Sequence, residues 1–358
     1  MGIIKRLPVW KVSLLIVLIL ILTAFLVVFP LITAKIYNSV FRVRFQTAEH
    51  RVFTVDDYDG LHVEHVSFST KQGHTLAGYK YAHDNTDSPK GVVVFAHGFG
   101  GGGHCGYMPI IEYMARNGYA VFSYDATGND ASEGEYIGGF PQGIIDLDYA
   151  IRYVKSDSAY ATLPIFLIGH SWGAYSVGNV LNFHTDVRGA VLFAGFDASM
   201  RIIRQYGQQF AGNWISLGVP YVRLHEAITY GKYAAVTASD GFAAAKDCAI
   251  LVVHSDDDGV VRRENGYDLF YEAHKDNDRV SFVLYESRGH DNLFNTEETI
   301  AYRDRVNEEY DAYIAANGLE DSDASRAAYR RETDQAAYFM LDDDIMGRVL
   351  AMFDAAAK

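Results

Sequence analysis

Pro164-Ile-Phe-Leu-Ile-Gly-His-Ser-Trp-Gly-Ala-Tyr175 is the stretch on which the reading of this chain turns. Its first half, Ile165–Ile168, is solidly apolar, the composition of a short strand buried on both faces of a sheet. From Trp172 to Phe183 the pattern becomes helical. Ser171 stands at the junction, with Gly169 and Gly173 two residues to either side. A chain that passes directly from strand to helix crowds its own backbone, and glycine removes the Cβ atoms that would collide. Such a turn lifts the serine oxygen above the end of a sheet. The helix beginning at Trp172 aims its positive end at any negative charge that develops there. The five-residue G-x-S-x-G pattern is weak by itself; the strand before it and the helix after it give it weight.

Outward from that turn the chain alternates between strands and helices. Strand patterns fall at His62–Ser69, His74–Ala82, Gly91–Ala96, Tyr119–Tyr124, Pro164–Gly169, Gly189–Ala194, Ala249–His254 and Arg279–Tyr285. The first two flank Thr70-Lys-Gln-Gly73, a hairpin-like turn, so the sheet is expected to open antiparallel. The later runs (VVVFA, AVFSY, IFLIG, AVLFA, AILVV) suit buried parallel strands. Helices are expected at Pro109–Arg116, Gln142–Lys155, Trp172–Phe183 and Arg263–His274, with a closing helix at about 342–355. The pattern predicts a doubly wound, mostly parallel eight-stranded α/β sheet. Two stretches exceed simple crossovers. Residues 197–247, rich in large side chains (Ile202, Tyr206, Phe210, Trp214, Ile215, Tyr221, Tyr230, Tyr233), read as a helical cap over the carboxyl edge of the sheet. Residues 296–338 read as a charged helical insertion with a solvated face.

Ahead of this body lies Val12–Thr33, an almost unbroken apolar run without charge. At 1.5 Å per residue it reaches roughly 33 Å, enough for the bilayer hydrocarbon and longer than the usual core of a cleaved signal peptide. We expect a retained single-pass anchor over residues 1–34, a juxtamembrane segment over 35–60, and one folded domain over 61–358. Lys5, Arg6 and Lys11 before the run favour a cytoplasmic amino terminus and an extracytoplasmic body, whereas Lys35, Arg42 and Arg44 after it pull the other way. Residues 1–45 carry +6, so the remaining 313 residues carry −20 within a net charge of −14. So acidic a body argues against a nucleic-acid partner. Cys105 and Cys248 fall at opposite ends of their strands, too far apart to bridge, and are expected as free thiols.

A serine hydroxyl needs a base, and the base needs an orienting partner. The chain order that suits this turn is serine, acid, histidine, each beyond a later strand. Ile250–Val253 runs into His254-Ser-Asp-Asp-Asp-Gly-Val-Val261, and Val280–Tyr285 runs into Ser287-Arg-Gly-His290. His290 is therefore the candidate base, and Asp256, Asp257 and Asp258 are the candidate acids. No histidine or cysteine cluster has metal-ligand spacing and no nucleotide motif is present, so no metal or cofactor is expected. The glycine run Gly100–Gly103, read as mobile, lacks the Gly-Lys-Ser/Thr ending of a phosphate loop.

From about His62 to Phe294 the chain resembles the α/β-hydrolase superfamily, in the branch of serine aminopeptidases and monoacylglycerol-lipase-like esterases. The acid loop of that branch reads H-G-x-x-D-x-V-V-P, so the resemblance places the acid on Asp258, with Asp256 as the alternative. Ala96-His-Gly-Phe99 is similar to the H-G-x oxyanion loop, which implies the backbone N–H groups of Phe99 and Trp172 as oxyanion donors. The loop Asp125-Ala-Thr-Gly-Asn-Asp-Ala-Ser132 departs from the D-x-R-G-H-G-x-S of relatives in lacking the arginine, the histidine and the second glycine. The resemblance implies a Ser171–His290–Asp258 triad acting through an acyl-enzyme. An aromatic cap beside a membrane suits a carboxylic ester, lipid-like in character. A peptidase, needing a cap acid such as Glu226 for a free amino terminus, a thioesterase, and a non-catalytic binding scaffold are the competing readings.

Overall fold

Eight strands form one sheet in the order β1-β2-β4-β3-β5-β6-β7-β8 in the computed structural model, which describes residues 8–70 and 73–358. They are β1 Leu61–Ser69, β2 Thr75–His83, β3 Val92–Ala96, β4 Ala120–Tyr124, β5 Ile165–His170, β6 Gly189–Phe193, β7 Ala249–Ser255 and β8 Val280–Tyr285. β1 pairs antiparallel with β2, and β2 with β4; every other pair is parallel. The sheet is thus the one the alternation predicts. Lys5, Arg6, Lys71 and Gln72 lie outside the described residues.

β3, β4, β5 and β6 are buried along their whole length because helices cover both faces. Of the first six helices after the amino-terminal pair, α3 (Met108–Arg116) covers one face and α4 (Phe140–Ser156), α5 (Trp172–Val180) and α8 (Ala238–Ala244) cover the other. α6 (Ser199–Ala211) and α7 (Ile215–Tyr230) rise from the loop after β6. α9 (Tyr267–His274) joins the α4 face, and α13 (Asp343–Ala356) returns to the α3 face. There Phe353 meets Phe166 with ring centroids 4.6 Å apart, both fully buried. Each such side chain contributes roughly 1.5–3 kcal/mol by leaving water, and the pair ties the end of the chain to the sheet. Strand order reverses at β3, which leads to α3 on one face while its neighbour β5 leads to α5 on the other. Loops at the carboxyl ends of β3 and β5 therefore diverge and leave a crevice.

Three elements differ from expectation. The helix expected over Arg263–His274 is interrupted at Gly266, where a Cβ would run into the Gly195 carbonyl; the β6 loop passes too close for a continuous helix. The amino-terminal helix does not stop near residue 34. α1 (Val9–Thr23), a π-helical turn (Ala24–Val28) and α2 (Phe29–Phe41) form one rod, Val9–Phe41, long and apolar enough to cross a membrane. The widened turn lies just before Pro30, whose missing N–H cannot close an ordinary helical bond. Tyr37 and Phe41, at the far end, are buried against the body. The insertion, α10 (Glu297–Asn317), α11 (Asp323–Arg330) and α12 (Gln335–Tyr338), is more than a solvated face. The Arg330 guanidinium lies over the rings of Phe53, Tyr338 and Phe339, and Asp323 binds His50 at 2.7 Å.

Candidate active site

Ser171 holds φ +55° and ψ −114°, a conformation costly to a side-chain-bearing residue. Its neighbours enforce it. A Cβ on Gly169 would strike the Gly173 backbone, and one on Gly173 would strike the Ala96 carbonyl oxygen. The Ser171 N–H donates to Phe193 O at 2.8 Å, and its carbonyl accepts from Tyr175 N–H at 2.9 Å, so β6 and α5 grip the turn from both sides. Ser171 keeps 9% of its surface exposed.

Asp258 and His290 meet at the ends of β7 and β8, with Nδ1 of the imidazole 2.8 Å from Asp258 Oδ2. The other Asp258 oxygen accepts from the N–H groups of Val260 and Val261, both at 2.9 Å. Burial alone would raise the Asp258 carboxyl. The hydrogen bond and charge of His290 and the Val261 N–H override it and hold the group below its ordinary value. Asp256 and Asp257 do not approach the imidazole in this way. Instead Asp256 accepts the Ser287 N–H at 3.1 Å, Ser255 Oγ the Arg288 N–H at 2.9 Å, and Asp257 the Gly289 N–H at 2.8 Å. Three successive residues of the acid loop thus hold three successive amides of the histidine loop. Ser287 and Gly289 both have positive φ, 54° and 61°.

The loop after β3 is equally constrained. His97 Nδ1–H donates to Gly98 O at 2.8 Å, and its Nε2 accepts from Ala126 N–H at 2.9 Å. Among the described residues neither Phe99 N–H nor Trp172 N–H is engaged by a protein acceptor. The Phe99 and Trp172 rings meet edge to face at 5.8 Å. Gly102 and Gly103 are packed rather than mobile. A Cβ on Gly102 would collide with Thr47 and one on Gly103 with Asp125, while Gly103 N–H donates to Asp130 at 2.8 Å and to Thr47 Oγ1 at 3.0 Å. Here the divergent Asp125–Ser132 loop finds its use. Asp125 accepts from Tyr79 Oη and from His104 Nδ1–H, both at 2.8 Å. Burial opposes charge on His104, but Asp125 prevails and lifts it to about 9. Phe41 and Phe45 place their rings 6.0 and 5.5 Å from Phe99, so the segment that follows the apolar helix packs on this loop.

A family model described as serine aminopeptidase, S33, matches residues 87–230. Monoglyceride lipase of Rattus norvegicus is 32% identical over 111 residues, 30% of this chain and 35% of that protein. A monoglyceride lipase homolog of monkeypox virus is 37% identical over 89 residues, 24% of this chain and 31% of that one. The matched stretches span about a third of the length of these curated relatives. An esterase of Pyrococcus furiosus superposes with a TM-score of 0.53 at 17% identity, covering 74% of this chain and 95% of that one. By fold, the chain is an α/β-hydrolase.

In this α/β-hydrolase one residue of the site escaped the sequence. His170, between Gly169 and Ser171, accepts from Tyr107 Oη at Nδ1 (2.9 Å) and donates from Nε2 to the His290 carbonyl at 3.0 Å. Tyr107 Oη in turn accepts from Gly98 N–H at 3.2 Å. The three loops are therefore joined through a neutral imidazole, which burial and then the neighbouring His290 depress to about 4. Nothing in the spacing signals this, since its partners lie 63 and 120 residues away. His170, His290 and Asp291 bring ligand-type atoms within 4.8 Å of one another, a grouping not visible in the spacing. Both His170 nitrogens and His290 Nδ1 are already engaged by protein groups. A cavity of about 360 Å³ opens beyond His170, lined by Arg51, Tyr107, Asp291, Phe294 and Arg303. Cys105 and Cys248 are unpaired thiols. Glu226 is almost fully buried and accepts from Tyr37 Oη at 2.8 Å and Ser199 Oγ at 2.7 Å, so it faces the amino-terminal helix.

Proposed function

We propose that this α/β-hydrolase is a membrane-anchored serine hydrolase that cleaves carboxylic esters of lipid-like acids through an acyl-enzyme. The observation that carries the reading is the strained Ser171 turn, tied through the adjacent His170 to the His290 carbonyl, with the His290 imidazole already oriented by a buried carboxylate. His290, held through Nδ1, offers Nε2 as the base that takes the Ser171 proton during attack on the acyl carbon. The tetrahedral oxyanion is held by Phe99 N–H and Trp172 N–H, each worth about 3–4 kcal/mol of barrier. His290 returns the proton to the departing alcohol. Water, activated by the same imidazole, then releases the acid and frees Ser171. Asp258 stabilises the imidazolium and holds its tautomer. No step calls for a cofactor.

Helices α6 and α7 are the cap over this site in our reading, and Gln205 of α6 supports it by donating to the Val260 carbonyl of the acid loop at 2.8 Å, whereas α8 packs beneath on α5. Val12–Thr33 serves as the retained anchor with the body on the extracytoplasmic side. Ester cleavage is favoured over aminopeptidase action because the cap acid Glu226 is saturated by Tyr37 and Ser199. The test is labelling of the full chain by a fluorophosphonate, followed by turnover of a monoacylglycerol, an aminoacyl amide and an acyl thioester. Labelling lost in Ser171→Ala, with the monoacylglycerol turned over fastest, supports the proposal. A folded wild type that takes no label points to a binding scaffold, and preference for the amide points to a peptidase.

A further inference from the structure

The outer surface of α7, together with Phe210 at the end of α6, is apolar where a water-facing surface would be polar. Trp214, Leu217, Leu224 and Ile228 keep 78, 54, 54 and 76% of their surface exposed, and Phe210, near the end of α6, keeps 89%. Together with Tyr221, the positions from 214 to 228 are spaced alternately three and four residues apart, so they form one stripe along α7. A continuous exposed stripe of this kind is an interaction surface rather than incidental exposure.

Its place in the fold identifies the partner. The first half of α7 meets the amino-terminal helix inside the apolar run itself. Tyr221 stacks on Phe29 at 6.5 Å, and Gly218 faces Thr33, whose Oγ1 would lie 3.9 Å from a Cβ there. Phe29 and Thr33 belong to the last turns of the segment that would fill the bilayer, so the stripe begins at the depth where hydrocarbon gives way to headgroups. The charges agree. Within residues 199–232 the cations are Arg201, Arg204, Arg223 and Lys232, and the lone acid, Glu226, is buried, on a body that is otherwise strongly acidic. Cations beside an aromatic stripe suit a helix lying in the plane of a phospholipid surface.

We propose that the α6–α7 face lies in the bilayer interface, with Phe210, Trp214, Leu217 and Ile228 inserted among the acyl chains of a phospholipid membrane. The proposal rests on the reading of Val12–Thr33 as a retained anchor. It makes the cap the entrance for an ester dissolved in the bilayer, which then reaches Ser171 without crossing water. The three tryptophans provide the test, because Trp172 is buried and Trp10 and Trp214 are exposed. The full chain is placed in phosphatidylcholine nanodiscs whose acyl chains carry bromine near the headgroup end. Trp10→Phe leaves Trp214 as the exposed reporter, and Trp214→Phe leaves Trp10. Emission from Trp214 is expected to fall by about half on brominated lipid, the effect of burial in the upper acyl region. Quenching of Trp10 without quenching of Trp214 overturns the inference and leaves the anchor intact. Quenching of neither removes the anchor reading as well. Disulfide-linked dimers of Leu217→Cys, with Trp214 unquenched, would assign the stripe to a second copy and also overturn it.

Discussion

The turn from β5 into α5 and the pair α6–α7 use their large side chains in opposite ways. Around Ser171 everything is turned inward: Trp172, Tyr175 and Phe193 are buried, and the glycines sit where no larger residue fits. Along α7 the large residues are turned outward, and only Val219, Val222, Glu226 and Tyr230 face the body. The first region is held by contacts so close that its geometry has no freedom. The second is shaped by what lies outside the chain. The difference teaches that strain at Ser171 is maintained by the rigid sheet, whereas the apolar face of α7 is left uncovered by the rest of the chain.

The comparison can be broken most directly at the acid loop. Asp258→Asn is expected to lower ester turnover on the order of 10⁴-fold, by the loss of the correct imidazole tautomer and of its stabilised charge. Asp257→Asn weakens the grip on the Gly289 N–H and on Ser255 Oγ without touching the imidazole, so about a tenfold loss, roughly 1.4 kcal/mol, is expected; steady-state kinetics on one soluble ester compares the two. Equal losses would mean that the carboxylate roles are shared. Gly173→Ala tests the rigidity itself. Its Cβ meets the Ala96 carbonyl, and we expect a destabilisation of roughly 4 kcal/mol or more, read as a lowered denaturation midpoint.

The contact of α7 with the amino-terminal helix, through Glu226 and Tyr37, responds to pH. Burial raises the Glu226 carboxyl from 4.5 to about 7, against the opposing hydrogen bonds from Ser199 and Tyr37. A folded-state value above the unfolded one means that the folded chain holds the proton more tightly. The stabilisation is therefore full below about pH 4.5 and is lost as pH rises through about 7. The interval corresponds to at most about 3 kcal/mol. Thermal unfolding at pH 5 and pH 8 should show the wild type losing more stability than Glu226→Gln, and parallel curves would refute the assignment. The smallest effect on stability is expected at Ser171. Ser171→Gly removes the cost of a positive φ and should raise stability by about 1 kcal/mol while abolishing fluorophosphonate labelling.

Much of the fold was legible because its signals are short-ranged. Solid apolar runs mark strands covered on both faces, and glycine on each side of Ser171 marks a turn that sterics alone require. The pairing of β1 with β2 followed from a short turn. The order of candidate residues along the chain was also readable, since each follows a strand. What could not be read depends on distant partners. Asp256 and Asp257 read as rival candidate acids until the amides of Ser287 and Gly289 were seen upon them. His170 carried no signal of its own between Gly169 and Ser171. Gly102 and Gly103 suggested mobility, yet Thr47, Asp125 and Asp130 pack against them.

The amino-acid sequence by itself determined the alternation of strand and helix, the apolar amino-terminal helix and the sharp turn at Ser171, because each arises from a few neighbouring residues and their sterics. Only the tertiary structure decided which aspartate meets His290, how the amino-terminal helix passes into the body through Tyr37 and Phe41, and which way Phe210 and Trp214 point. Those depend on residues tens to hundreds of positions apart. An apolar side chain reads the same in sequence whether protein or lipid is to cover it.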